Sequence, residues 1–211
     1  MKTFVKISLL LLLVYSFKPI SNNSDILVYT DTIDYYKYYD SIHKAKQTIF
    51  LYNISKLDNT KFRFPVGDIV GNGYYITQRF QDKRVFEGNH LGIDISKPGK
   101  PNIDLGDTIY SVGDGFVNDV GGNNKEYISC IYKYNDSYIK IGYFHCLKVL
   151  VKSGMFVKYG QPIALIGNSD GVFAAHLHLE CMKDTSLNFG GYGDPKGFIN
   201  PEIILPYYKN K

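Results

Sequence analysis

Cysteine is scarce and odd in number: the 211 residues contain three, Cys130, Cys146 and Cys181. An odd count leaves at least one thiol without a partner in its own chain, which excludes the disulfide-scaffold class of small exported domains. The three also lack the closely spaced pairs that bring four ligands together in a structural zinc ribbon or finger. Neither sign of charge is in strong excess. Lysine and arginine number 24 against 20 acidic residues, a formal +4 that shrinks further if Lys2 and Lys6 leave with the N-terminus. That is no electrostatic footprint for nucleic acid. Internal repeats, low-complexity linkers and a second globular module are also missing from the pattern.

Long apolar runs are absent except at the start, MKTFVKISLLLLLVYS, where Lys2 and Lys6 precede and enter an apolar run from Ile7 to Tyr15. The run is too short and too near the terminus for a comfortable membrane span. We read residues 1–16 as a secretory signal peptide cut after Ser16; left uncut, it would serve as a membrane anchor, the one membrane contact expected. No cysteine follows it to carry a lipid. The remainder, with 45% hydrophobic and 21% charged residues overall, has the ordinary make-up of a soluble chain able to bury a core. A monomer is expected.

Residues 22–65 are rich in Tyr, Asp and Lys, and DTIDYYKYYDSIHKAKQTIF spaces Ile33, Tyr36 and Ile42 in a way that suggests a helix starting at an aspartate cap. This short mixed segment is expected either to restrain the domain C-terminal to it, by covering a groove or holding it near a membrane, or to act as a spacer. His43, beside Lys44 and Lys46, reads as a solvated helix-face histidine. From Phe64 the texture changes to short β-branched and aromatic runs between glycine-containing turns: GYYITQRF, LGIDIS, DTIYSVGDGFVNDV, EYISCIYKY, SYIKIGYF, PIALIG and AHLHLECM. Residues 66–211 are therefore expected to form a mainly β, antiparallel, sandwich-like domain, closed by the tail GFINPEIILPYY as a strap. EYISCIYKY and SYIKIGYFH flank Asn135-Asp136 and should form a hairpin. With Tyr134 opposite Tyr138, Cys130 falls opposite Gly142 and Cys146 lies ~13 Å farther along, against the ~5.5 Å a disulfide requires. No bridge between them is expected.

Two of the five histidines stand one residue apart in AAHLHLE, residues 174–180. On a strand, residues i and i+2 share a face and rise ~6.6 Å apart, so His176 and His178 point together while Leu177 and Leu179 face the core. Such a pair can bind one metal jointly, or one ring can bind while the other stands off as a base; alone, it reads equally as two structural histidines. It is not alone. GNHLGIDIS supplies His90 and Asp94, and GYFHC supplies His145 at the end of an expected strand. His90 and Asp94 would lie ~13 Å apart on a straight strand, so meeting at one ion requires a bend, which Gly92 permits. Otherwise His90 is a loop histidine and Asp94 a turn cap. Two imidazoles, a carboxylate and one open position are what metal-assisted hydrolysis needs, with zinc the expected ion. Cys146 would point away from His145 if the strand continues.

Through HLGID, VGDGFV, YFH, VKSGMFVKYGQPIALIG and HLHLE, spread from Tyr75 to Pro206, the chain resembles the lysostaphin-like zinc endopeptidases that cut peptidoglycan cross-links. The resemblance implies a grooved peptidase domain, with zinc on His90, Asp94 and His178 and the fourth place open to water or a carbonyl oxygen. His145 and His176 become the non-ligand catalytic pair, peptidoglycan peptide stems or cross-bridges the substrate, and the periplasm or cell envelope the location. Phe80 is followed by Gln81 where the family commonly has Phe-Gly, Arg84 is the candidate for its arginine, and no tyrosine stands between Ile76 and His90. Two other readings compete. An inactive relative that binds and activates another wall hydrolase would have lost ligands, whereas all are present. A sugar-system phosphocarrier also uses two nearby histidines, but works in the cytoplasm and has no use for an export signal or for Asp94 as a ligand.

Overall fold

A computed structural model describes residues 32–58, 61–84, 88–121, 126–183, 185 and 188–207. The signal read over 1–16 and the aspartate cap at Asp31 lie outside them. The chain divides into two units, Met1–Lys44 and Ala45–Lys211. Helix α1, Thr32–Ile54, is the helix expected from the spacing of Ile33, Tyr36 and Ile42. In the first unit His43 is exposed, its ring centroid 4.3 Å from that of Tyr39. Among the described residues no helix is long and apolar enough to cross a membrane.

Within the second unit the end of α1 joins the packing, because Ile54 and Leu57 bury against Phe116 and Ile131. Phe64 and Val66 are fully buried in the main core, so that core begins at the end of the Tyr-rich segment. The strands are β1 (Tyr75–Gln78), β2 (Lys83–Arg84), β3 (Gly88–His90), β4 (Gly92–Ser96), β5 (Thr108–Tyr110), β6 (Gly115–Gly121) and β7 (Glu126–Tyr134). They continue as β8 (Ser137–Val149), β9 (Phe156–Val157), β10 (Pro162–Ile166), β11 (Leu177–Met182), β12 (Tyr192–Gly193) and β13 (Phe198–Ile199), before the short helix α2 (Pro201–Ile204). All pairings are antiparallel. The large sheet runs β1-β4-β11-β8-β7-β6-β9, with β10 pairing β5 and β8, and β13 pairing β11; a small sheet runs β12-β3-β2. The mainly antiparallel β expectation holds.

Strands β4 and β11 lie side by side, inside the edge strand β1, and both are covered on two faces. Ile93, Ile95, Leu177 and Leu179 are fully buried on the core side, each contributing about 1.5–3 kcal/mol of apolar burial. The ladder pairs Leu177 with Ile95, His178 with Asp94, Leu179 with Ile93 and Glu180 with Gly92. A one-residue slip of β11 would drive His178 into that core and turn Leu177 and Leu179 out, so apolar burial fixes the polar register.

The β7–β8 hairpin forms as expected, but one residue tighter. Tyr134 pairs with Ser137, which places Cys130 opposite Ile141 rather than Gly142. The cause is the two-residue turn, which Asn135 closes with a left-handed φ of 54°. Cys130, Cys146 and Cys181 are all buried thiols that form no disulfide. Strand β8 also continues through His145 to Val149 instead of ending there.

Gly92 serves close approach: a methyl at its α-carbon would fall on the carbonyl oxygen of Leu179 in the neighbouring strand. Gly92→Ala should therefore lower stability by about 1–3 kcal/mol through forced separation of β4 and β11. A urea denaturation midpoint unchanged from wild type would contradict this packing.

Candidate metal centre

The chain leaves the small sheet at His90 and enters the large one at Gly92, and this change of sheet is the bend that four-residue spacing demanded. His90 Nε2 consequently comes within 3.3 Å of Asp94 Oδ1. From the facing strand, His178 Nδ1 stands 2.8 Å from that oxygen and 3.0 Å from His90 Nε2. All three residues are buried. Their outward nitrogens are committed elsewhere: His90 Nδ1–H donates to the Arg79 carbonyl at 3.0 Å, and His178 Nε2–H donates to Glu180 Oε1 at 2.9 Å. In the neutral rings this leaves both inner nitrogens as bare lone pairs aimed, with a carboxylate oxygen, at one point. Donors of a tetrahedral site with bonds of ~2.0–2.1 Å stand ~3.3 Å from one another. The spacing and donor types thus fit a cation of zinc's size, and His90, Asp94 and His178 could hold it.

His145 and His176 stand beside this triplet and outside it. Their ring centroids are 4.6 Å apart, and His176 Nε2 is 3.7 Å from Asp94 Oδ1. His176 Nδ1–H donates to the Ala174 carbonyl at 2.8 Å, which leaves Nε2 bare toward the triplet. His145 adopts φ 60°, which breaks the strand's alternation: Phe144 and His145 both line the groove while Cys146 turns inward. Left-handed backbone at a non-glycine residue costs about 1–3 kcal/mol and persists where surroundings enforce it. His145 Nδ1 lies 2.8 Å from Ser169 Oγ, and Ser169 and Asp170 are themselves left-handed, at φ 49° and 56°.

The groove above the triplet has a volume of about 810 Å³. Aromatic rings form its walls: Phe144 stacks on Tyr127 and meets Phe189 edge to face on one side, Tyr192 lies 5.1 Å from the His90 ring, and Phe173 lies 5.1 Å from that of His145. Sequence reasoning gathered all five polar residues now seen together, but not Ser169, Glu180 or the walls. Glu180 carried a signal, since it shares the i+2 face with His176 and His178; Ser169 and Phe189, in loops, carried none. Arg84 has no described side chain against which to test its candidacy.

Burial and charge set the protonation of the metal-free site. Burial alone would raise Asp94, yet hydrogen bonds from His178 and His90 and the charge of His178 hold it well below the usual carboxylate range. For His178, burial opposes the charged ring, but Asp94 and Glu180 outweigh it and raise its pKa from 6.5 to about 9. A proton therefore does there part of what a cation would do. Burial, with the neighbouring His176 and His178 rings, takes His145 down to about 3, so its ring is neutral at neutral pH.

Two imidazoles and a carboxylate at the floor of a groove make this a β protein with a candidate metal centre beside a cleft. The particular family emerges from comparison: residues 88–189 match Peptidase family M23, and the chain carries a domain of that family. It is 37% identical over 93 residues to the peptidoglycan DD-endopeptidase ShyB of Vibrio cholerae, covering 44% of this chain and 20% of the relative. It is 34% identical over 113 residues to the uncharacterized lipoprotein YgeR of Escherichia coli, covering 53% of this chain and 42% of that one. The structure of the antimicrobial peptidase lysostaphin from Staphylococcus simulans superposes with a TM-score of 0.52 at 21% identity, over 69% of this chain and 54% of its own. That likeness shows the shared lysostaphin-like β fold. The chain spans less than half the length of these two curated relatives.

A raised histidine pKa stabilises the fold below the unfolded value and loses that contribution as pH climbs through the folded one. Chelator-stripped protein should accordingly lose stability between pH 6.5 and about 9. The urea midpoint should fall across that range in wild type and stay level in His178→Ala. A level wild-type profile would contradict the charge assignment.

Proposed function

We propose that the chain is a zinc-dependent endopeptidase that hydrolyses peptide cross-links of bacterial peptidoglycan in the cell envelope. The observation that carries this reading is the convergence of His90 Nε2, Asp94 Oδ1 and His178 Nδ1 on one point at the groove floor. Family membership over 88–189 supports the chemistry, and the relative named as a peptidoglycan endopeptidase supports the substrate. The signal read at residues 1–16 supports export. Bound there, zinc would supply a Lewis acid able to polarise a peptide carbonyl and water.

The chain's own residues divide the remaining work. The groove holds an extended peptide against Phe144, Phe189 and Tyr192 and keeps bulk water away from its floor. His176, whose Nδ1–H is fixed on Ala174, has its bare Nε2 placed to take a proton from the attacking water. As the new C–O bond forms and the C–N bond breaks, the same nitrogen returns that proton to the departing amine. His145 is neutral and half-buried, and the Ser169 hydroxyl, donating to Nδ1, leaves Nε2 as the protonated edge facing the groove. That N–H braces the negative charge developing on the carbonyl oxygen. A relative without activity, serving as a binding module for another hydrolase, would have no need of a complete triplet with both flanking histidines.

Metal analysis and digestion of purified sacculi test the reading together. Wild type should hold one zinc per chain and release fragments cut within the peptide, identified by mass. His176→Ala should keep its zinc and lose turnover by about 10²–10⁴-fold, whereas His178→Ala should lose the metal. Equal zinc loss in both variants would overturn the division of roles, and zinc-loaded wild type without peptide cleavage would favour the binding module.

A further inference from the structure

Glu180 is almost fully buried, yet its carboxylate meets only donors. Oε1 accepts from His178 Nε2–H at 2.9 Å and from the Gly191 amide at 2.5 Å, and Oε2 accepts from the Gly190 amide at 3.3 Å. An ionised carboxylate, acceptor-only, is the side chain that three converging donors call for. The slot around it is built on both sides. In the β4 ladder Glu180 faces Gly92, and in the β8 ladder it faces Gly142. A methyl at Gly92 would come within 3.1 Å of Glu180 Cγ, and one at Gly142 would strike Phe144 and Phe189, the latter at 2.7 Å. Two flanking glycines thus admit a carboxylate on one side and the aromatic wall on the other.

The segment that Glu180 grips is itself a groove wall. Gly190, Gly191 and Tyr192 line the cleft, and Tyr192 pairs with His90 in the small sheet. The Leu91 amide donates to the Gly191 carbonyl at 2.9 Å. The wall is therefore stitched to one candidate ligand, His90, by backbone, and to the other, His178, by Glu180. Remove the carboxylate and the second stitch goes: the His178 ring loses the acceptor that turns its Nδ1 lone pair inward, and the Gly190 and Gly191 amides lose theirs.

Resting on the reading of His90, Asp94 and His178 as a metal site, we propose that Glu180 is a positioning residue that makes the His178 ligand and the Gly190–Tyr192 substrate wall one mechanical unit, so that filling the metal site and ordering the wall reinforce each other. Conservative substitution separates the two links. In Glu180→Gln the single amide oxygen can still accept from His178 and Gly191, but its NH2 faces the Gly190 amide, donor against donor. Glu180→Ala removes both.

The test needs no turnover: zinc affinity by chelator competition and amide exchange at Gly190 and Gly191, each with and without zinc, in the full chain. In wild type, zinc should slow exchange at both glycines. Glu180→Ala should weaken zinc binding by about 10–100-fold and speed exchange at both glycines by about tenfold or more, with zinc no longer slowing it. Glu180→Gln, isosteric and so the safer variant for folding, should recover most of the zinc affinity while Gly190 alone exchanges fast. Wild-type zinc affinity in both variants, or glycine amides indifferent to zinc and to Glu180, would overturn the proposal. Wild type that takes up no zinc contradicts the metal reading instead, and the exchange rates of the variants then decide by themselves whether Glu180 holds the wall.

Discussion

Antiparallel pairing of Leu177–Glu180 with Gly92–Ile95 sets His178 against Asp94, and the rest of the site is built outward from that pair. Backbone hydrogen bonds join the two strands but do not choose the register. It is held by Ile93, Ile95, Leu177 and Leu179 on the opposite face, whose burial outweighs any gain available from a shifted ladder. His90 arrives from a second sheet, and Gly92 allows the two strands to close far enough for its ring to reach the same oxygen. The apolar core therefore does for the site what a rigid frame does for an instrument: it sets positions without taking part in the chemistry.

The groove side carries backbone strain. Left-handed backbone at His145, Ser169 and Asp170 runs against steric preference, and charges are gathered where water is scarce. The arrangement persists because each unfavourable element has a local partner: Ser169 for His145, Glu180 for His178, the Arg79 carbonyl for His90. Proton and cation compete for one position, since the inner nitrogen of His178 must be bare to bind a metal and is protonated without one. Metal affinity and the stability of the empty fold are thereby linked to pH with opposite sense.

Much of this was legible in the chain. H-x-G-x-D and H-x-H gathered the candidate residues, because strand periodicity puts i and i+2 on one face and the four-residue spacing calls for a bend that Gly92 permits; which three make the triplet came from the resemblance to the lysostaphin-like family. The antiparallel β class followed from short β-branched runs between turns. What stayed hidden depended on packing in three dimensions. The hairpin register slipped by one because dipeptide chemistry marks a turn but does not count its residues. His145 was read as a strand end, since a left-handed residue inside a strand leaves no pattern of its own. Phe189, Gly190 and Tyr192 approach the site only through long-range pairing with β3 and Glu180, which no local spacing announces.

The central claim is that two imidazoles and one carboxylate, brought together by the β4–β11 register and the bend before it, hold a single cation. Anomalous diffraction from crystals of zinc-loaded protein, collected on both sides of the zinc absorption edge, addresses it directly. One peak per chain should appear in contact with His90 Nε2, Asp94 Oδ1 and His178 Nδ1, with His145 and His176 beside it and unbound. A peak ligated by His145 or His176 in place of one of the three, or none at the groove floor, would contradict it.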